Sequence, residues 1–520
     1  MKSFSYRYRS ISLNISTLLL LLLLAVSSSL NGGGVERHLS IREFEKSIDR
    51  IYREIGQKKY FNAKNCDRYI GSICRFIYSD GESRYLPLTQ RDRRRLLERA
   101  DIILKKMFLL RIRLREKLKY FYRQKNLSKS CLGRIRMAFR YSRFTEEYLT
   151  ELLVELKGRA GSANRLDFSH DEYQLYINPD YGRLQFKSGD ILMIRSSSYI
   201  SAVIARMGDE DGQFSHAAMI YVDREGEVYV MESLIEEGTV ISPFDEWRKK
   251  NHHARAVLFR YHDEREGRSV AERLHRYIEL RLKSGEGIPY DFHMNDKNSS
   301  EIYCAELIEF AFRHAQVETI PAFKSSYRKL AGHPFLDELT IHSYEGFAPS
   351  DLEVEPHLDL VAEWRNYDET DAARMEDAIQ TKVLYWMSDM DYRLKRTPES
   401  FLLANIGLFA RKALGIGKDL IPTNMPEGFF ENIIKLYDLN RILERYLSRH
   451  NSEYEKKHGY PMDYRTMMSV LEKLRADDCR RYRSEQGYLR KSLTELGDSQ
   501  APPSLFHSLF NVENGLECPL

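Results

Sequence analysis

Apolar positions change their spacing twice along the chain. From about Glu36 to Gly161 they recur every three or four residues, as on a helix face, with Gln90 to Lys125 and Arg143 to Leu156 the longest such stretches. From about Asp167 to Tyr344 the apolar runs are short, strand-like and bounded by Gly, Pro and Asp. From about Leu352 to Leu496 helical spacing returns, broken at Pro398, Pro422, Pro426 and Pro461, and the segment from Ser499 with Pro502-Pro503 reads as a loose tail. The spacing predicts an α+β domain over 165–345 between α-helical regions at 36–161 and 352–496, with the tail at 499–520.

Within the middle domain, strands are expected at Ile191–Ile194, His216–Val222, Glu227–Glu232 and Ala254–Tyr261. Helices are expected at Tyr199–Met207, Arg268–Lys283 and Ile302–Ala315. This pattern is antiparallel sheet with helices packed to one side. A loop of Arg224-Glu225-Gly226, with Gly226 left-handed, would pair Asp223 with Glu227.

The first residues read differently. Lys2, Arg7 and Arg9 precede an uncharged stretch containing Leu18–Leu24, then small residues and Asn31-Gly32-Gly33-Gly34. A positive flank, an apolar core and small residues describe a signal peptide over 1–30, or an uncleaved signal anchor, since the apolar stretch approaches the roughly 20 residues that span a bilayer. Either way the body of the chain is expected outside the cytoplasm, in the periplasm or cell envelope. An exported chain can pair cysteines, and of the six here Cys66 and Cys74 are closest in sequence and the first candidates. No CxxC occurs, so no zinc site is expected, and nothing calls for a cofactor.

Charge adds little in sum. A net charge of +4, from 80 basic and 76 acidic residues, gives no case for nucleic-acid binding. Its distribution says more: Arg91 to Lys125 is densely basic, which suits either an anionic membrane or wall polymer, or a solvated face balanced by acidic helices elsewhere.

Cys304 follows Ser299-Ser300-Glu301 at a helix start, where free N–H groups stabilise a thiolate and can hold an oxyanion. A buried structural cysteine is the plain alternative. His216 opens an apolar strand, where an imidazole is a poor packing choice; it is the candidate base, against a satisfied core histidine. With Asp223 opposite Glu227, Glu232 falls on the His216 face and diagonal to it, where its carboxylate would orient the ring. Tyr290, in Ile288-Pro289-Tyr290-Asp291-Phe292, and Tyr303 are the candidate substrate contacts; Asp190 reads as a turn residue and His252, His253 and His293 as surface residues.

The order Gly189-Asp190-Ile191, Phe214-Ser215-His216-Ala217-Ala218-Met219-Ile220-Tyr221, Met231-Glu232-Ser233, Pro289-Tyr290-Asp291 and Tyr303-Cys304-Ala305-Glu306-Leu307 resembles the circularly permuted branch of the NlpC/P60 papain-like hydrolases, most closely the YiiX/YebB-like group. In that branch the histidine precedes the cysteine, as here. The resemblance covers about a third of the chain, within the usual size of one domain. It implies a small antiparallel, barrel-like sheet packed on the cysteine helix, with Cys304 as nucleophile, His216 as base and Glu232 orienting it. It also implies cleavage of an amide or peptide bond, in peptidoglycan or another envelope substrate. Relatives act on acylated lipids, so an acyl hydrolase or acyltransferase is the second reading; a catalytically idle envelope-binding module is the third.

Overall fold

The computed structural model describes residues 40–79, 89–157, 175–250, 253–294, 300–317, 320–395, 424–484 and 506–511, with 402, 406 and 422 as single residues. The leader at 1–30, His252 and most of the tail lie outside the described residues.

Among the described residues four N-terminal α-helices come first: α1 (Ile41–Gly56), α2 (Cys66–Cys74), α3 (Gln90–Arg123) and α4 (Lys129–Lys157). Ser40 starts α1 as an N-cap, its hydroxyl accepting from Glu43 N–H, and Thr89 does the same for α3 through Asp92 N–H. One face of each buries apolar residues, such as Ile41, Phe44, Ile48 and Ile55 on α1. A disulfide joins Cys66 to Cys131. The expected Cys66–Cys74 pair does not form, because both cysteines sit on α2. Eight residues at 1.5 Å each put them roughly 12 Å apart along the axis, beyond the reach of a disulfide.

The middle of the chain forms a seven-stranded antiparallel sheet. Its members are β1 (Tyr176–Ile177), β2 (Ile191–Ser196), β3 (His216–Val222), β4 (Val228–Leu234), β5 (Gly238–Pro243), β6 (His253–Tyr261) and, beyond two-residue strands β7 (Ser325–Ser326) and β8 (Glu345–Gly346), β9 (Leu358–Arg365). The order is β1-β9-β6-β2-β3-β4-β5. Strand β9 lies past the expected boundary at 345, in a region read as helical; Leu358, Leu360, Ala362 and Trp364 alternate with Asp359, Glu363 and Arg365, a pattern interrupted at Val361, where the pairing with β6 shifts register. Helices α5 (Tyr199–Arg206), α6 (Phe244–Lys250), α7 (Glu264–Lys283), α8 (Cys304–Ala315) and α9 (Pro334–Glu338) are inserted between strands. One row of the sheet, including Ala217, Met219 and Met231, shares its core with Ala305, Leu307 and Ile308 of α8 and with the apolar faces of α1 and α3. The other row, with Leu192, Ala218, Ile220 and Val230, packs on Phe244 and Trp247. His253 is buried at the start of β6 with its ring 4.5 Å from that of Trp247, not at the surface.

The C-terminal helices α10 (Tyr367–Met390), α11 (Glu427–His458) and α12 (Tyr464–Ser484) build a second core with Val203 and Met207 of the α5 segment. Residues 506–511, inside the segment expected to be loose, dock on it: strand β11 (Phe510–Asn511) pairs with β10 (Arg393–Leu394), and Phe506 and Phe510 are buried. Among the described residues no helix is long and apolar enough to cross a membrane.

Charge ties these parts together. Arg95, Arg99 and Lys106 of α3 converge on Glu45 of α1. Arg111 reaches Glu146 of α4 at 2.8 Å and Glu363 of β9 at 2.6 Å, and Arg115 donates to the carbonyls of Glu355 and Leu358. Much of the basic run is therefore turned inward, onto carboxylates and carbonyls of the same chain. Asp377 of α10, fully buried, receives Arg195 of β2 at 2.8 Å, Arg206 of α5 at 2.9 Å and Arg255 of β6 at 3.3 Å. Buried charges persist only when paired in this way.

Candidate active site

The hairpin β3–β4 sets the site. Asp223 N–H donates to Glu227 O and Gly226 takes φ +92°, the left-handed turn residue the loop demands. Val222 then pairs with Val228 and Ile220 with Val230, which carries Glu232 to the position diagonal to His216. The His216 Nε2–H donates to Glu232 Oε2 at 2.7 Å. The carboxylate fixes the tautomer and leaves Nδ1 available for a second partner.

That partner is the thiol. Cys304 is the first residue of α8, with Tyr303 as N-cap. Its Sγ approaches Ser215 O at 3.9 Å, at the residue before His216, and lies near enough to the His216 ring to raise its pKa. Helix start and strand start thus meet. The first-turn N–H groups of α8, with the positive end of its dipole, favour negative charge at the sulfur.

Burial alone would pull the His216 pKa down. The nearby Cys304 and the hydrogen-bonded Glu232 override it and push it up to about 10. The shift favours the imidazolium form of the ring at neutral pH. Its side chain keeps 20% exposure, whereas Cys304 keeps 4%. The exposed side of the pair is the histidine side.

Tyr290 is brought to the same point: burial, with the nearby Cys304, holds its hydroxyl well above its ordinary pKa. The loop carrying it is stitched in place. Thr239 N–H donates to Ile288 O at 2.8 Å and Ile302 N–H to Pro289 O at 3.0 Å. Gly238, at φ +75°, lets this loop pass; a Cβ there would lie 2.3 Å from Ile288 O. Tyr303 is not brought to the sulfur in the same way. Its hydroxyl accepts from Phe347 N–H at 3.2 Å and is committed to the fold.

Asp190 is a buried partner of Arg260, at 2.7 and 2.8 Å, and accepts from Lys187 N–H, in keeping with a turn residue. Glu306, also fully buried, accepts from Tyr303 N–H at 3.3 Å, and burial pushes its pKa up to about 8. Asn424 donates to Tyr290 O at 2.8 Å from 134 positions away, a contact with no local sequence signal. Among the described residues no three His, Cys, Asp or Glu side chains are grouped to hold a metal ion.

Residues 185–362 match the Peptidase_C92 family, described as permuted papain-like amidase enzymes of the YaeF/YiiX type. The matched segment, about a third of the chain, is a permuted papain-like domain, and the protein is an enzyme, a cysteine hydrolase of amide bonds. Among solved structures, the metalloprotein yiiX from Escherichia coli O157:H7 is similar at 20% identity and a TM-score of 0.29, covering 35% of this chain and 100% of its own. The search of curated proteins finds no significant match.

Proposed function

We propose that this protein is an exported amidase in which Cys304 is the nucleophile, His216 the acid and base, and Glu232 the group that orients His216. The observation that carries this reading is one imidazole hydrogen-bonded to a carboxylate and set beside a thiol at a helix start. The Cys304 thiolate attacks the carbonyl carbon of an amide. The first-turn N–H groups of α8 hold the oxyanion. His216 passes its proton to the leaving nitrogen, the C–N bond breaks and an acyl thioester remains. Water, deprotonated by His216, then releases a carboxylic acid and restores the thiol. Tyr290 contacts the substrate beside the sulfur. The Cys66–Cys131 disulfide supports a location outside the reducing cytoplasm, as does the leader. The substrate is an amide of the cell envelope.

The full-length protein, incubated with envelope extracts, should release new primary amines. Cys304→Ala and His216→Ala should abolish that release. Amine release that persists in Cys304→Ala would remove the nucleophile from the reading.

A further inference from the structure

Helices α1 and α3 lie outside the family-matched segment and run side by side in the same direction. At their starts Ile41 N–H donates to Asp92 Oδ1 at 2.9 Å; further along, Glu45 and Asp49 of α1 take Arg95, Arg99 and Lys106 of α3. That seam neutralises one set of basic residues. A second set on the same two helices is turned outward.

Arg42, Lys46, Arg50 and Arg53 recur every three or four residues, so they form one exposed stripe along α1, opposite its buried Phe44, Ile48, Ile51 and Ile55. Arg91, Arg94 and Lys105 are exposed on α3. None of these cations has an ion-pair partner among the described residues. Of the nearby carboxylates, Glu43 accepts from Ser40 N–H at 3.1 Å and Asp49 pairs with Lys106 at 2.9 Å, while Glu98 and Asp101 are exposed on α3. The outer face of the pair is thus cationic in a chain whose net charge is only +4. Within it Leu97 and Ile102, between Arg94 and Lys105, are each 42% exposed.

The mixture selects among anionic partners. A hydrated polymer would meet the charges and leave Leu97 and Ile102 in water. A bilayer surface takes up both, the apolar side chains entering the headgroup boundary while the cations meet phosphates. Position agrees. Residues 31–39 separate the leader from Ser40, the cap of α1. Fully extended they would span at most about 35 Å, so a leader held in a bilayer would keep this face near it.

From this we infer that the outer face of α1 and α3 docks on the anionic phospholipid headgroups of a membrane surface. The inference stands apart from the amidase reading: it concerns where the protein sits, not what Cys304 attacks.

Sedimentation with vesicles tests it. The full chain is compared with a variant carrying Arg42→Gln, Lys46→Gln, Arg91→Gln and Arg94→Gln, on phosphatidylcholine vesicles with and without about a third phosphatidylglycerol. The leader, with its own Lys2, Arg7 and Arg9, is the same in both proteins, so their difference isolates the helical face. Each basic residue near an anionic surface is worth about fivefold in binding. Partition onto the anionic vesicles should therefore fall at least about a hundredfold in the variant, and wild-type binding should weaken with added salt. Arg42→Lys with Arg91→Lys and Arg94→Lys keeps the charge and should bind as the wild type does. Native circular dichroism is checked first; should the glutamine variant unfold, Leu97→Ser with Ile102→Ser decides the question, because binding unchanged by that pair overturns the inference. Equal binding of wild type and folded glutamine variant to anionic vesicles, or equal wild-type binding to both vesicles, also overturns it. Capture on purified cell-wall sacculi, lost in the glutamine variant and unaccompanied by vesicle binding, would overturn it in favour of a wall polymer.

Discussion

His216 and Glu232, sixteen residues apart in sequence, meet at 2.7 Å because a three-residue loop ending in Gly226 sets the register of their hairpin. The pairing holds the imidazole at one tautomer and one angle, with its second nitrogen free for the thiol. Replacing Glu232 by Gln keeps the shape but removes the charge. We expect kcat/KM to fall about 10²–10⁴-fold, the range seen when a positioned acid–base group is disabled, with KM little changed.

The same pairing sets a pH limb. The folded pKa of His216, about 10, lies above its ordinary 6.5. Its favourable interactions are complete below about 6.5 and are lost as pH rises through about 10. Activity that needs the protonated ring should therefore fall on the alkaline side near pH 10. In Glu232→Gln that limb should move to lower pH. A pH profile of kcat/KM for the two proteins reads this directly.

Cys304 and Cys74 should differ sharply toward an alkylating reagent. Both are unpaired and buried, but burial pushes the Cys74 thiol up to about 12. Iodoacetamide at neutral pH should label Cys304 alone, and His216→Ala should slow that labelling at least about tenfold. Peptide mapping by mass spectrometry distinguishes the two sites.

Glu306 should make the protein less stable in base. Its carboxyl is raised from an ordinary 4.5 to about 8 by burial. Between those values the unfolded chain ionises first, so stability falls as pH rises and levels off above about 8. Glu306→Gln keeps an acceptor for Tyr303 N–H and has no charge to bury. Its melting temperature should exceed that of the wild type increasingly from pH 5 to pH 8.

Asp377 holds three buried arginines from β2, α5 and β6. Asp377→Ala would leave those charges without their shared partner and should cost about 3–5 kcal/mol in denaturant unfolding. Because Arg255 also donates to Gln213 O, three residues before His216, activity should be lost along with stability.

What the sequence by itself determined is local. The short apolar run His216–Val222, the glycine at 226 and the helix start before Cys304 follow from contacts within a few residues, so the hairpin register and the helix-borne thiol could be read directly. Strand β9 escaped because its alternation is interrupted at Val361, where its pairing shifts register, and the Cys66 partner escaped because proximity in sequence on a helix is distance in space. The docking of Phe506 and Phe510, the inward turn of Arg111 and the meeting of Ile433 with Val203 around one cavity were decided only by tertiary structure. These contacts join segments separated by scores to hundreds of residues, and burial chooses among many equally apolar or equally charged partners only once the whole chain has packed.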